Sequence, residues 1–312
     1  MMLKSLRLSS LLFGLMVFAN PAQASIGGWV QETALGLEQH LASLGRSTYR
    51  IDNHDMVVFS RHIDSPAPCI VMIHGFTARA AHWFRMAKSL PKDRCIIAMD
   101  LPGFGQSSFL PTAAYDPATQ ADRVSDLIKA MAPKNSQVDL IGNSMGGEIS
   151  AQFALRHPEQ THSLALMNAA GVSSPNLSTL RKQIAAGKNG FFATTLDGWK
   201  RFYDMTMTEP PFVPGFVLDA VAAEAIARVP RHEYIFKQLG GVMDAELGNI
   251  HTPTLIIWGD QDQLLDVSMV SVWQRIADSK AYVYKDIGHM PQLERPKQTA
   301  ALYQRFLDGE LN

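Results

Sequence analysis

Val138-Asp139-Leu140-Ile141-Gly142-Asn143-Ser144-Met145-Gly146-Gly147 is the stretch on which the reading of this 312-residue chain turns. Val138 to Ile141 is a short apolar run with the character of a buried strand, and Glu148 to Arg156 is helix-like. Between them stands Gly-x-Ser-x-Gly followed by a third glycine. A sharp strand-to-helix turn crowds the backbone around its serine, so the flanking residues must be small, and Gly142, Gly146 and Gly147 meet that demand. Ser144 is then expected to stand exposed above a sheet as a nucleophile. The helix start beneath it offers backbone N–H groups and the positive end of a dipole to a developing oxyanion. The bland alternative is a serine in a structural turn.

A serine hydroxyl needs a base to take its proton, and the base needs a carboxylate to orient it. Both are found further along the chain. Trp258-Gly259-Asp260-Gln261-Asp262 follows the strand-like run Thr254 to Trp258, and Ile287-Gly288-His289 follows Ala281 to Tyr284. Among ten histidines, only His289 combines a place just past a strand end with a preceding glycine and a position later than the acid. Three aspartates compete for the acid role. Asp260 sits at the turn and Asp266 resembles a helix start, so Asp262 is the expected acid. The oxyanion needs two donors, and the expected pair is the N–H of Phe76, in His74-Gly75-Phe76 at the end of Cys69 to Ile73, and the N–H of Met145. His74 itself reads as structural. No histidine pair has zinc-ligand spacing with a supporting carboxylate, so no metal site is expected.

Working outward, the runs Cys69–Ile73, Cys95–Met99, Val138–Ile141, Leu164–Met167, Thr254–Trp258 and Ala281–Tyr284 alternate with helical stretches. Such alternation implies an α/β protein with a mostly parallel sheet covered on both faces. Ser47 to Ile51 and Met56 to Arg61 read as a strand pair across Asn53-His54-Asp55. Ser25 to Leu44 carries Trp29, Leu35, Leu37, Leu41 and Leu44 on a helical period and is expected to pack on the body. The segment 172–247 is too long for a loop and suits short helices, with Pro210-Pro211-Phe212-Val213-Pro214 inside it. It is expected to be a helical cap over the strand ends, dividing the core into 25–171 and 248–312. Phe76, Met145, Phe212, Val213, Phe216 and Val217 are the candidate substrate-pocket residues.

The composition narrows the partners. With 28 basic against 29 acidic residues and no basic run, there is no electrostatic footprint for nucleic acid. Lys4 and Arg7, the apolar run Leu8 to Ala19 and Pro21-Ala22-Gln23-Ala24 together read as an export signal over 1–24, cleaved after Ala24. The apolar run is 12 residues, against the roughly 20 of a spanning helix. A permanent N-terminal anchor is the alternative. The mature chain would carry 26 basic against 29 acidic groups and sit in the periplasm or outside the cell. In such a compartment the two cysteines matter. Cys69 lies five positions before His74 and Cys95 five before Asp100, so neighbouring strands in register would bring them together as a disulfide. Two free thiols buried as small hydrophobes are the other reading.

Taken together, these residues resemble the α/β-hydrolase family, from about Pro66 to Leu307. One subgroup is especially similar, the bacterial cold-adapted lipases together with the mammalian monoacylglycerol lipase of the α/β-hydrolase-domain series. The likeness is carried by His74-Gly75-Phe76, Asp100-Leu101-Pro102-Gly103-Phe104-Gly105, the Ser144 elbow, Ile256 to Gln263, and Gly288-His289 through Glu294-Arg295-Pro296. Phe202-Tyr203-Asp204 with Pro210-Pro211-Phe212 resembles the cap of the bacterial members. The resemblance implies an eight-stranded α/β-hydrolase fold with a cap before the last two strands. It implies hydrolysis of acylglycerols or related acyl esters, no cofactor, and transient contact with a membrane or lipid surface. A meta-cleavage C–C hydrolase shares the elbow, yet such enzymes carry Trp directly after the catalytic histidine, where Met290 stands here. A hydrolase-like ligand-binding protein without catalysis is the rival of another class.

Overall fold

The computed structural model describes residues 25–132 and 137–311. The expected export signal over 1–24 lies outside the described residues. Eight strands form one sheet in the order β1-β2-β4-β3-β5-β6-β7-β8. They are β1 (Gly45–Ile51), β2 (His54–Arg61), β3 (Cys69–Ile73), β4 (Ile96–Met99), β5 (Val138–Asn143), β6 (Thr161–Met167), β7 (Thr254–Gly259) and β8 (Ser279–Tyr284). β1 and β2 are antiparallel to each other, and β2 is antiparallel to β4. From β4 through β8 every neighbour is parallel. All five residues of β3 and all six of β5 and β7 are buried, as expected of parallel strands covered on both faces.

Alternate residues of these strands supply two separate cores. Val71, Ile73, Leu140, Leu166 and Trp258 face one layer, which α3 (Pro117–Met131), α4 (Met145–Arg156) and α9 (Met269–Trp273) cover. Ile70, Met72, Ile141, Met167 and Ile257 face the other, covered by α2 (Phe84–Ser89) and α11 (Pro296–Leu307). Each fully buried Val, Ile or Leu contributes roughly 1.5–3 kcal/mol relative to exposure. Strand periodicity therefore fixes which face every residue serves, and the carboxyl ends of β3 to β8 all point to one rim.

Cys69 and Cys95 are joined by a disulfide. Ile70 pairs with Ile96, so the preceding cysteines stand side by side, both fully buried. The hairpin turn is tighter than expected. Ile51 pairs with His54, leaving Asp52 and Asn53 as a two-residue loop, and both have positive φ (45° and 62°). That is the backbone a type I′ turn requires.

Between β6 and β7 the chain forms α5 (Thr179–Ala185), α6 (Leu196–Thr206), α7 (Gly215–Ala227) and α8 (Val229–Phe236). The short α10 (Pro291–Glu294) follows β8. α1 (Ile26–Leu41) begins at Ser25, whose hydroxyl accepts from the Gly28 N–H. Its packing differs from expectation. Trp29, Leu37 and Leu41 are exposed, and the buried residues of the helix are Gly27 and Gly28. A Cβ at Gly27 would lie 2.3 Å from the Phe216 carbonyl oxygen. α1 meets α7 backbone to backbone through Gly27, so Trp29, Leu37 and Leu41 are turned out, while Leu35 packs against the second core as expected. Among the described residues no helix is long and apolar enough to cross a membrane.

Candidate active site

The elbow is built by close approach. A Cβ on Gly142 would fall 2.0 Å from the Gly146 carbonyl oxygen, and one on Gly146 would fall 2.2 Å from the Ile73 carbonyl oxygen. Neither contact is possible for any other residue. Ser144 between them has φ 57° and ψ −123°, a conformation L-residues avoid. Such strain costs on the order of 1–3 kcal/mol and persists only where surrounding structure enforces it. Here the enforcement is visible. The Ser144 N–H donates to the Met167 carbonyl, while its own carbonyl accepts from Gly147 and Ala170. Ser144 is thereby lifted to the floor of a cavity of about 360 Å³.

His289 lines the same cavity. Its Nδ1 donates to Asp262 Oδ2 at 2.7 Å, and both side chains are buried. Asp262 accepts only, so Nδ1 carries the proton and Nε2 is the basic nitrogen of the neutral ring. Asp262 is itself saturated. Oδ1 accepts from the Leu264 and Leu265 amides at 2.8 and 3.0 Å, and Oδ2 also accepts from Asn168 Nδ2 at 2.7 Å. The two competing aspartates do other work. Asp260 Oδ1 accepts from the Asp286 N–H, and Asp266 Oδ1 from the Ser268 N–H. Ser144 Oγ and His289 Nε2 share the cavity without bonding to each other or to another described residue. Such bonds often form only once substrate is bound.

The loop carrying His289 is fixed from three sides. Asn143, beside the serine, donates to the His289 carbonyl at 3.1 Å and accepts from Gln292 Nε2 at 3.1 Å. The His289 N–H donates to the Thr206 carbonyl at the end of α6. Glu294 gathers four backbone donors, from Thr208, Glu209, Gly288 and Met290, at 2.7 to 3.3 Å. One carboxylate thus ties the insert to the residues on either side of His289. Sequence reasoning missed these roles for Asn168 and Glu294. Asn168 had one local signal, an Asn directly after an apolar strand, and it does adopt a positive φ of 43°.

The N–H groups of Phe76 and Met145 donate to no described residue, so both remain available. His74 beside them is engaged, with Nδ1 on the Gly75 carbonyl and Nε2 accepting from the Leu101 N–H. Burial pushes its pKa below the usual histidine value. Of the six expected pocket residues, Phe76, Phe212, Val213 and Val217 line the cavity, Phe212 at its outer rim. Met145 and Phe216 do not. The Met145 side chain turns under α4 into the core, leaving only its amide for the site. Phe216 is 52% exposed because consecutive helical residues point about 100° apart, and its neighbour Val217 faces in.

The profile of the alpha/beta hydrolase family matches residues 70–302. The chain is 29% identical to Lipase 3 of Moraxella sp. (strain TA144), over 99% of both chains. It is 29% identical to monoacylglycerol lipase ABHD6 of Bos taurus, over 77% of this chain and 75% of that one. Among solved structures, a membrane phospholipase A described as a bacterial virulence factor superposes with a TM-score of 0.86. It is 34% identical, over 92% of this chain and 93% of that one. An eight-stranded sheet with this order, a strained serine after β5 and a family match across three quarters of the sequence lead to one conclusion: the chain belongs to the alpha/beta hydrolase family.

Proposed function

We propose that this protein is a serine hydrolase that cleaves the carboxylic esters of monoacylglycerols or other acylglycerols, with Ser144 as nucleophile, His289 as base and Asp262 as acid. The observation that carries the reading is the buried His289–Asp262 pair opening onto the same cavity as the strained Ser144. In the proposed reaction His289 Nε2 takes the Ser144 proton as Oγ attacks the ester carbonyl, and Asp262 steadies the imidazolium. The Phe76 and Met145 amides receive the oxyanion, each contributing roughly 3 kcal/mol to the barrier reduction. His289 then protonates the leaving alcohol, and water releases the acid from the acyl-enzyme.

The named lipase activities of the relatives support an ester substrate. Apolar walls such as Phe191, Phe202 and Leu264 suit an acyl chain. We further propose that 172–247 acts as a cap shaping this cavity, and that the protein works outside the cytoplasm. The disulfide supports the second point, since such bonds persist in oxidising compartments. Exposed Ile26, Trp29, Phe212 and Phe216, on helix and loop segments beside the cavity, support contact with a lipid surface. Ser144→Ala should abolish turnover of p-nitrophenyl butyrate while leaving thermal unfolding unchanged within about 1–2 °C. Retained turnover would refute the nucleophile.

A further inference from the structure

Val217, Val221, Glu224, Arg228 and His232 all line the cavity from the continuous α7–α8 segment, at steps of three or four residues. The series is apolar at its start and polar at its end. The polar end is balanced in charge. Arg228 pairs with Glu224 at 2.6 Å, and Arg79 lies 3.3 Å from Glu32 and 4.0 Å from Glu224. With Arg85 on Glu38 at 2.7 Å, three guanidinium groups meet three carboxylates, so each arginine lining the cavity among the described residues has a carboxylate partner.

His232 is the exception on this wall. It is 4% exposed, and its nitrogens make no hydrogen bond with a described residue. The ring is held by stacking on Phe104 (5.9 Å, 19°) and by tilting against Phe76 (5.6 Å). Burial, with Arg231 and Arg228 nearby, pushes its pKa down to about 3. A neutral imidazole offers one donor and one acceptor, which matches a hydroxyl group and not an anion. With no protein partner on either nitrogen, the ring's donor and acceptor are free to serve a group that enters the cavity.

We propose that His232 is a specificity-determining residue that hydrogen-bonds a free hydroxyl on the alcohol portion of the ester, at the end of a charge-neutral polar wall. This rests on the ester-hydrolase reading above and extends it to the recognition of the alcohol. Phe76 carries a proposed oxyanion donor on its backbone and touches His232 with its ring, so the hydroxyl read by His232 lies within a few atoms of the scissile carbonyl. A glyceryl ester has that spacing. A plain alkyl ester lacks the group.

The test compares 1-decanoylglycerol with propyl decanoate, which share acyl chain and alcohol length and differ by two hydroxyls. The full chain should favour the glyceryl ester in kcat/KM. In His232→Phe, which keeps a stacking ring, that preference should fall about tenfold, the worth of one neutral hydrogen bond. His232→Asn, which keeps a donor and an acceptor, should recover part of it. If His232→Phe does not fold, His232→Leu is read in the same way. An unchanged ratio, or an equal loss on both esters, overturns the proposal, the second because packing alone would explain it. Faster turnover of 1-decanoylglycerol 3-phosphate than of 1-decanoylglycerol also overturns it. If the wild-type chain hydrolyses neither decanoate, the ester-hydrolase reading itself fails.

Discussion

Replacing Glu294 with Gln removes one of the two oxygens that hold four backbone N–H groups around the His289 loop. If the remaining oxygen stays on Thr208 and Glu209, the two shortest contacts at 2.7 and 2.9 Å, it also keeps the Gly288 N–H at 3.1 Å, and the amide NH₂ is turned toward the N–H of Met290. Donor then faces donor. Losing the Met290 bond costs about 1.5–3 kcal/mol, and the three bonds that remain each lose about 1 kcal/mol of charge assistance, so Glu294→Gln should destabilise the fold by about 4 kcal/mol. For roughly 280 folded residues the unfolding entropy is about 0.6 kcal/mol/K, which converts this to a Tm lower by about 7 °C. Gly288 and Met290 flank His289, and a displacement of about 1 Å in such a group costs on the order of a hundredfold in rate. Scanning calorimetry and kcat/KM on p-nitrophenyl butyrate measure the two effects on one preparation. Wild-type values for both would refute the anchoring argument, and a lowered Tm with wild-type turnover would show that the anchor does not position His289.

Two further outcomes follow from buried groups elsewhere. Cys69 and Cys95 close a loop across 26 positions, for which the chain-entropy account gives about 3.5 kcal/mol, so the double Cys→Ala variant should melt about 6 °C lower. Wild-type protein that takes up two equivalents of an alkylating reagent when unfolded without reductant would contradict the bridge. Glu148 in α4 has its pKa raised to about 7, by burial. Its folded pKa exceeds the unfolded value of 4.5, so the native state holds the extra proton between those values and stability falls as pH rises through that window. Glu148→Gln should therefore match wild type near pH 4 and exceed it by about 3 kcal/mol at pH 8 in urea unfolding. An equal difference at both pH values would contradict the assignment.

The sequence carried the sheet and the elbow because both are local patterns. β3, β5 and β7 are apolar runs buried on both faces, and the glycines around Ser144 answer a steric demand within five residues. Asp262 and His289 were legible because each directly follows a strand whose end reaches the same rim. What stayed hidden depends on distant partners. Glu294 serves amides 86 positions away with nothing local to announce it, and Asn168 supports a carboxylate 94 positions away with only its place directly after an apolar strand as a hint. The inward face of α1 was legible only at Leu35, with Leu44 just beyond the helix, for a related reason. Hydrophobic periodicity finds large apolar residues, whereas close backbone contact with α7 demanded Gly27. Likewise, a one-residue step on α7 separates Val217 inside the cavity from Phe216 outside it, finer than an unaligned stretch of apolar residues can resolve.

The central claim is that Ser144, His289 and Asp262 act as one proton relay facing the Phe76 and Met145 amides. A crystal structure of the chain after reaction with a fluorophosphonate tests it most directly. The account predicts phosphorus bonded to Ser144 Oγ, the phosphoryl oxygen at about 2.7–3.1 Å from both amide nitrogens, and His289 Nε2 turned toward the adduct with Nδ1 still on Asp262. An adduct on another residue, or a phosphoryl oxygen pointing away from both amides, would contradict it.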